Sequence, residues 1–192
     1  MRGLAYFALC LVCAACSRAP ERDLFKEGET LFLNGEYDAA VEVFKQRLVQ
    51  DPNDAGAHFY LGNCCFYNTD NNWLGIALGE LETALSLFER QGKVNPVPRF
   101  SAEYFEMICH VNQAYIYYSL IGFLADNPRQ FGGVDARAVL PKLLKNCMEQ
   151  ADIAEQVSPG HPDVVKLKRL IQKLVDGAGP ASTPQTAPTF SG

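Results

Sequence analysis

Between Glu21 and Asp54 the chain reads ERDLFKEGETLFLNGEYDAAVEVFKQRLVQDPND, and a hydrophobic pattern that begins there returns further on, which constrains the fold more than any other feature. Leu24, Phe25, Gly28, Leu31 and Phe32 fall at the three- and four-residue spacing of one helix face, as do Tyr37, Ala40, Val41, Phe44 and Leu48. Asn34-Gly35 separates the two patterns with a turn signal, and Pro52 ends the second because its ring removes a backbone donor. Gly28 then recurs as Gly62, Leu31 as Cys65 and Leu24 as His58, each 34 positions later. The second halves align at a shift of 37, Ala40 on Ala77 and Phe44 on Leu81, which places three extra residues in the turn from Asn68 to Asn72. A period of this length means one helix-turn-helix unit per repeat, each burying its apolar face against the next.

The bulk numbers agree with one globular unit: 192 residues, 48% hydrophobic and 20% charged. Net charge is -5 and the 17 Lys and Arg are scattered without a basic stripe, so nucleic acid is not an expected partner.

Leu24, Gly28, Gly35, Tyr37, Ala40, Phe44 and Pro52 together resemble the tetratricopeptide repeat, with Leu61, Gly62, Ala77, Leu81 and Ala84 carrying the second unit. The resemblance implies an all-α chain, a right-handed α-solenoid of about three helix pairs over residues 22–176. VNQAYIYY at 111–118 resembles the first helix of a third unit, and CMEQADIAEQVSPGHP at 147–162 a second helix closing at Pro159. A long connection, Asp126 to Gly133, joins them, and Pro141 either kinks the later helix or marks its start. DVVKLKRLIQKLVD puts Val164, Leu167, Leu170, Ile171 and Leu174 on one face and reads as a capping helix, while 177–192, rich in Gly, Pro, Ser and Thr, reads as a disordered tail.

At the other end, Met1-Arg2 and the apolar run Leu4 to Ala15 have the length and charge of a leader, too short to span a bilayer as a permanent helix. Cys13-Ala14-Ala15-Cys16 resembles the lipobox of bacterial lipoproteins, which implies cleavage after Ala15, a diacylglycerol group on Cys16 and a tether over 16–21. Cys10 and Cys13 then belong to the leader, and no second Cys or His pair at ligand spacing supports a zinc site. Cys64, Cys65, Cys109 and Cys147 remain, either as free core thiols or with Cys109 or Cys147 bridged to the adjacent pair.

Catalytic chemistry is hard to assemble here. His58, His110 and His161 are scattered, no nucleophile elbow or phosphate loop is present, and Asp70 to Glu80 fails as a calcium loop because Leu74 takes a ligand position. The chain is expected to be no enzyme and to hold no metal or cofactor.

The first helices of such repeats line a concave wall, so the resemblance makes Phe25, Phe59, Asn63, Phe66, Tyr67, Gln113 and Tyr117 candidates for a partner-binding groove, rigid aromatics giving contact area and amides fixing a bound backbone. Phe25 and Glu29 replace the lysine and asparagine of a carboxylate clamp, which argues for an apolar or extended ligand segment. The expectation is a lipid-anchored, periplasm-facing scaffold that binds a periplasmic or outer-membrane protein. Its rivals are an accessory solute-binding subunit with a small apolar ligand in an aromatic cavity, and an envelope enzyme.

Overall fold

The computed structural model describes residues 22–68, 73–127 and 136–177. These form seven helices and, among the described residues, no strand: α1 Leu24–Leu33, α2 Tyr37–Gln50, α3 Ala55–Tyr67, α4 Leu74–Arg90, α5 Ala102–Asp126, α6 Ala136–Val157 and α7 Pro162–Val175. The leader, Cys16, the tether and the tail from residue 178 onward lie outside the described residues.

Local chemistry sets the helix starts. Asp23, Asp54 and Ser101 each accept a hydrogen bond from the backbone N–H three residues on, at 3.1, 2.9 and 3.0 Å, satisfying donors that a helix start leaves free. Gly35, at φ +80°, supplies the left-handed turn between α1 and α2. Pro141 lies inside α6, five residues beyond its first, so it does not mark the start of that helix.

Helices pack as consecutive pairs, α1 on α2, α3 on α4 and α5 on α6, with α2 against α3, α4 against α5, and α7 across both α5 and α6. The two aligned positions of the sequence turn out to be the same contact made twice. A Cβ on Gly28 would sit 2.7 Å from the ring of Phe44, and one on Gly62 would sit 3.0 Å from Leu81 and 3.1 Å from the Ala77 carbonyl. Small residues there let paired helices approach closely enough for the facing side chain to be fully buried.

Burial on α3 and α5 extends nearly all round, because each is flanked by helices on several sides. An aromatic chain runs through the first units: Phe44 stacks on Tyr60 at 5.2 Å, and Phe25 and Phe32 meet Tyr60 edge-on. A second group, Phe59, Phe88, Phe100 and Phe105, joins α3, α4 and α5 to the linker between α4 and α5.

That linker, residues 91–101, is the largest departure from a plain repeat turn. Val97 and Phe100 are buried, Asn95 Oδ1 accepts from the Val97 N–H at 3.1 Å, and Arg99 reaches Glu29 of α1 at 3.8 Å. Its Pro96 carbonyl packs so closely on α3 that a Cβ at Gly56 would lie 2.6 Å from the oxygen. Gly56→Ala should therefore lower stability by about 1–3 kcal/mol, since a backbone carbonyl has little room to move. Gly79→Ala, on an open face of α4 with nothing within 4 Å, should raise it by about 0.5–1 kcal/mol. Urea unfolding of the two variants checks both signs.

Candidate functional site

The predicted groove residues divide by where the packing puts them. Phe59 and Asn63 are fully buried and Gln113 is 4% exposed, so these three face the interior and not a free groove. The reason is that the residues beside the packing stripe of α3 point at α5 and at the linker, which cover them. Phe59 packs on Phe100 and Phe105, and Asn63 Nδ2 donates to the Phe59 carbonyl at 2.8 Å while its Oδ1 accepts from Asn112 Nδ2 at 2.6 Å.

Phe25, Phe66 and Tyr117 remain half-buried, on α1, α3 and α5, and no ring contact joins them. Tyr67 is partly exposed along its ring, against Phe66 at 5.0 Å, yet its hydroxyl is buried with no hydrogen-bond partner among the described residues. Asn112 Oδ1 is the other such atom.

At the far end of the expected wall, the start of α7 approaches α5. The His161 ring lies 5.8 Å from Tyr104, and burial followed by the Asp163 charge pushes the Tyr104 and Tyr115 phenols up to about 12. Burial first, then Tyr37, Tyr115 and Asp163, raises the Tyr67 phenol well above its ordinary value. Phe59 and Asn63 are thus covered by the 91–101 linker and by α5, and the start of α7 packs on α5 beside Tyr104. Sequence reasoning missed Asn112, Tyr104, Tyr115 and Asp163. A signal for the linker was present in VNPVPRF, where Val97 and Phe100 are apolar residues between and beyond two prolines, a pattern of a packed loop.

Reactive groups are either buried or committed to structure. All four thiols are free and buried, which decides between the two readings of the cysteines. Burial pushes Cys65 up to about 11 and Cys147 up to about 12, and raises Cys64 and Cys109 further, so none is a ready nucleophile. His110 Nδ1 meets Gln150 Oε1 at 2.7 Å, and His161 Nδ1 caps α7 by accepting from the Asp163 N–H at 3.3 Å. Among the described residues no three His, Cys, Asp or Glu side chains converge as metal ligands, and no helix is long and apolar enough to cross a membrane.

No protein-family profile matches the chain, and neither does a curated protein or a solved structure.

His58 carries a measurable consequence. Its Nδ1 faces Glu80 at 2.6 Å and its Nε2 faces the Pro52 carbonyl at 3.1 Å, so both nitrogens need a proton to donate. Burial opposes the charge, but the bonds to Glu80 and Pro52 outweigh it and the imidazolium is held above its ordinary value. The stabilisation is complete below the unfolded value of about 6.5 and is lost as pH rises through the higher folded one. Urea midpoints should fall across that window, and His58→Gln should flatten the fall.

The amide pair gives a second expectation. Asn63→Leu or Asn112→Leu alone should cost about 1–3 kcal/mol, because the remaining buried amide loses its partner. The double variant should cost less than the two added together, as read from a double-mutant cycle in urea.

Proposed function

We propose that this chain is a tetratricopeptide-like lipoprotein of a bacterial envelope, tethered through Cys16, whose helical domain acts as a scaffold for a periplasmic or outer-membrane protein and not as a catalyst. The observation that carries the reading is the recurrence of one contact, Gly28 on Phe44 and Gly62 on Leu81, at equivalent points of two successive helix pairs. Stacked repeats of this kind build extended surfaces for other proteins. The lipobox-like Cys13-Ala14-Ala15-Cys16 supports the anchor, and two acyl chains or more at one residue hold a protein stably.

The inner wall is not the contact surface in this reading, since its expected residues Phe59, Asn63 and Gln113 serve the core. The partly exposed rings of Phe66 and Tyr117, which also pack against the core, are what remains of the predicted set at the surface of α3 and α5, while Phe25 on α1 packs on Phe44 and Tyr60. For the solute-binding alternative, Phe59 is taken up by Phe100 and Phe105 and does not line an open cavity.

Two measurements test the proposal. In a bacterial host fed labelled palmitate, the chain should take up label and fractionate with membranes, and Cys16→Ser should abolish both. A photo-crosslinking residue at Phe66 or Tyr117 should capture a discrete envelope protein that the same group at Val49, exposed on α2, does not capture. Equal label in Cys16→Ser, or identical capture from all three positions, defeats it.

A further inference from the structure

Helix α6 presents an outward face that α7 touches at Asp152, through Lys168. Pro141, Lys145, Met148 and Asp152 follow one another at intervals of four, three and four, the spacing that keeps a single seam in line along a helix. With Leu144, Glu149, Ile153 and Gln156 they line a shallow hollow of about 710 Å³. Met148 is 43% exposed at its centre, while Lys145 and Asp152 are exposed on either side.

From this arrangement we infer that α6 pairs with α6 of a second copy, antiparallel about a two-fold axis. The seam is complementary to itself. Lys145 and Asp152 lie equally far on either side of the midpoint between Met148 and Glu149. A two-fold axis through that midpoint sets Lys145 of each copy opposite Asp152 of the other, brings the two Met148 side chains together and sets the two Glu149 carboxylates beside the axis, a like-charge contact that the two Lys145–Asp152 pairs must outweigh. Such an interface is isologous, each contact being made twice. Antiparallel order is required, because a parallel pairing would set Lys145 against Lys145 and Asp152 against Asp152.

Within one chain Asp152 already meets Lys168 of α7 at 3.1 Å, with the two side chains 60% and 44% exposed. A second lysine arriving from the other copy would place the carboxylate between two ammonium groups, and nothing in that contact has to be broken first. Met148 supplies the apolar centre, and its flexible thioether adapts to an identical side chain across the axis. A helix of this length is about 33 Å long and one helix-on-helix contact is small beside the ~1,600 Å² of a standard interface. The pairing is therefore weak and rises with concentration. It is independent of the lipid anchor and of the scaffold reading.

Crosslinking of the full chain tests it. Met148→Cys should form a covalent dimer under mild oxidation, on a non-reducing gel, about ten-fold faster than Ile76→Cys, a residue equally open to solvent on α4. Lys145→Glu or Asp152→Lys in the Met148→Cys chain should each cut the yield several-fold, and the double exchange, which restores opposite charges across the axis but sets the introduced lysine beside Lys168 of its own chain, should recover part of it. Circular dichroism confirms that each variant is folded, all four sites being exposed. Equal rates at positions 148 and 76, or yields insensitive to charge reversal, overturn the inference, and so does a double exchange that fails to recover.

Discussion

Close approach of paired helices at Gly28 and Gly62 is the constraint on which the rest of the structure depends. At each site the absent side chain is the space that a facing ring or leucine occupies, so a Phe44 ring and a Leu81 side chain reach full burial without strain. Burying a side chain of that size is worth about 1.5–3 kcal/mol, and the aromatic chain from Phe25 through Phe44 to Tyr60 adds its ring contacts on top. Push α1 and α2 apart by a methyl group at Gly28 and the stacked pair α2 on α3 loses its fit as well, because Phe44 lies flat against Tyr60 of the next unit. One contact thus fixes spacing within a pair and between pairs.

The second level of order is polar. Asn63 and Asn112, both fully buried, bind each other across α3 and α5, and the apolar surroundings make a slipped register costly because each amide would lose its partner. Apolar side chains alone would tolerate a shift of one turn more easily, since Phe59, Phe105 and their neighbours could repack. Two amides at one level cannot. A similar division of labour appears at His58, whose bonds to Glu80 and to the Pro52 carbonyl tie the first helix of the second unit both to its own partner helix and to the turn before it.

How far the sequence could be read depended on whether the relevant contact was local. The helices of the first two units, the turn at Gly35, the stop at Pro52 and the apolar face of α7 at Val164, Leu167 and Ile171 all follow from spacing along a few turns. Free thiols were one of two open readings, settled only by where the helices lie. Failure came where a non-local element intervened. Residues beside the packing stripe of α3 have the spacing of groove-facing positions. Phe100 of the 91–101 linker and Phe105 and Asn112 of α5 come from about 40 to 50 positions away to cover Phe59 and Asn63, and no periodicity in α3 records their arrival. Aromatic rings make the ambiguity worse, since a ring that fills a core and a ring that grips a partner have the same spacing.

Covering the wall changes what binding there would require. To uncover the linker side of Phe59, Val97 and Phe100 must lift into water and the Arg99–Glu29 contact must part, while Asn63 stays covered by Asn112 of α5. At about 1.5–3 kcal/mol for each of the two apolar side chains, the open form is on the order of 0.004–0.6% of the population. A ligand of the inner wall would have to prefer that form by a hundred-fold or more before it occupied half the molecules. A ligand of the outer faces meets its surface ready made, on Phe66, on Tyr117 and along α6, and binds without that penalty. The energetics of a packed interior therefore penalise a ligand of the inner wall and not a ligand of the outside, where the helices present their charges and the uncovered edges of rings that also pack on the core.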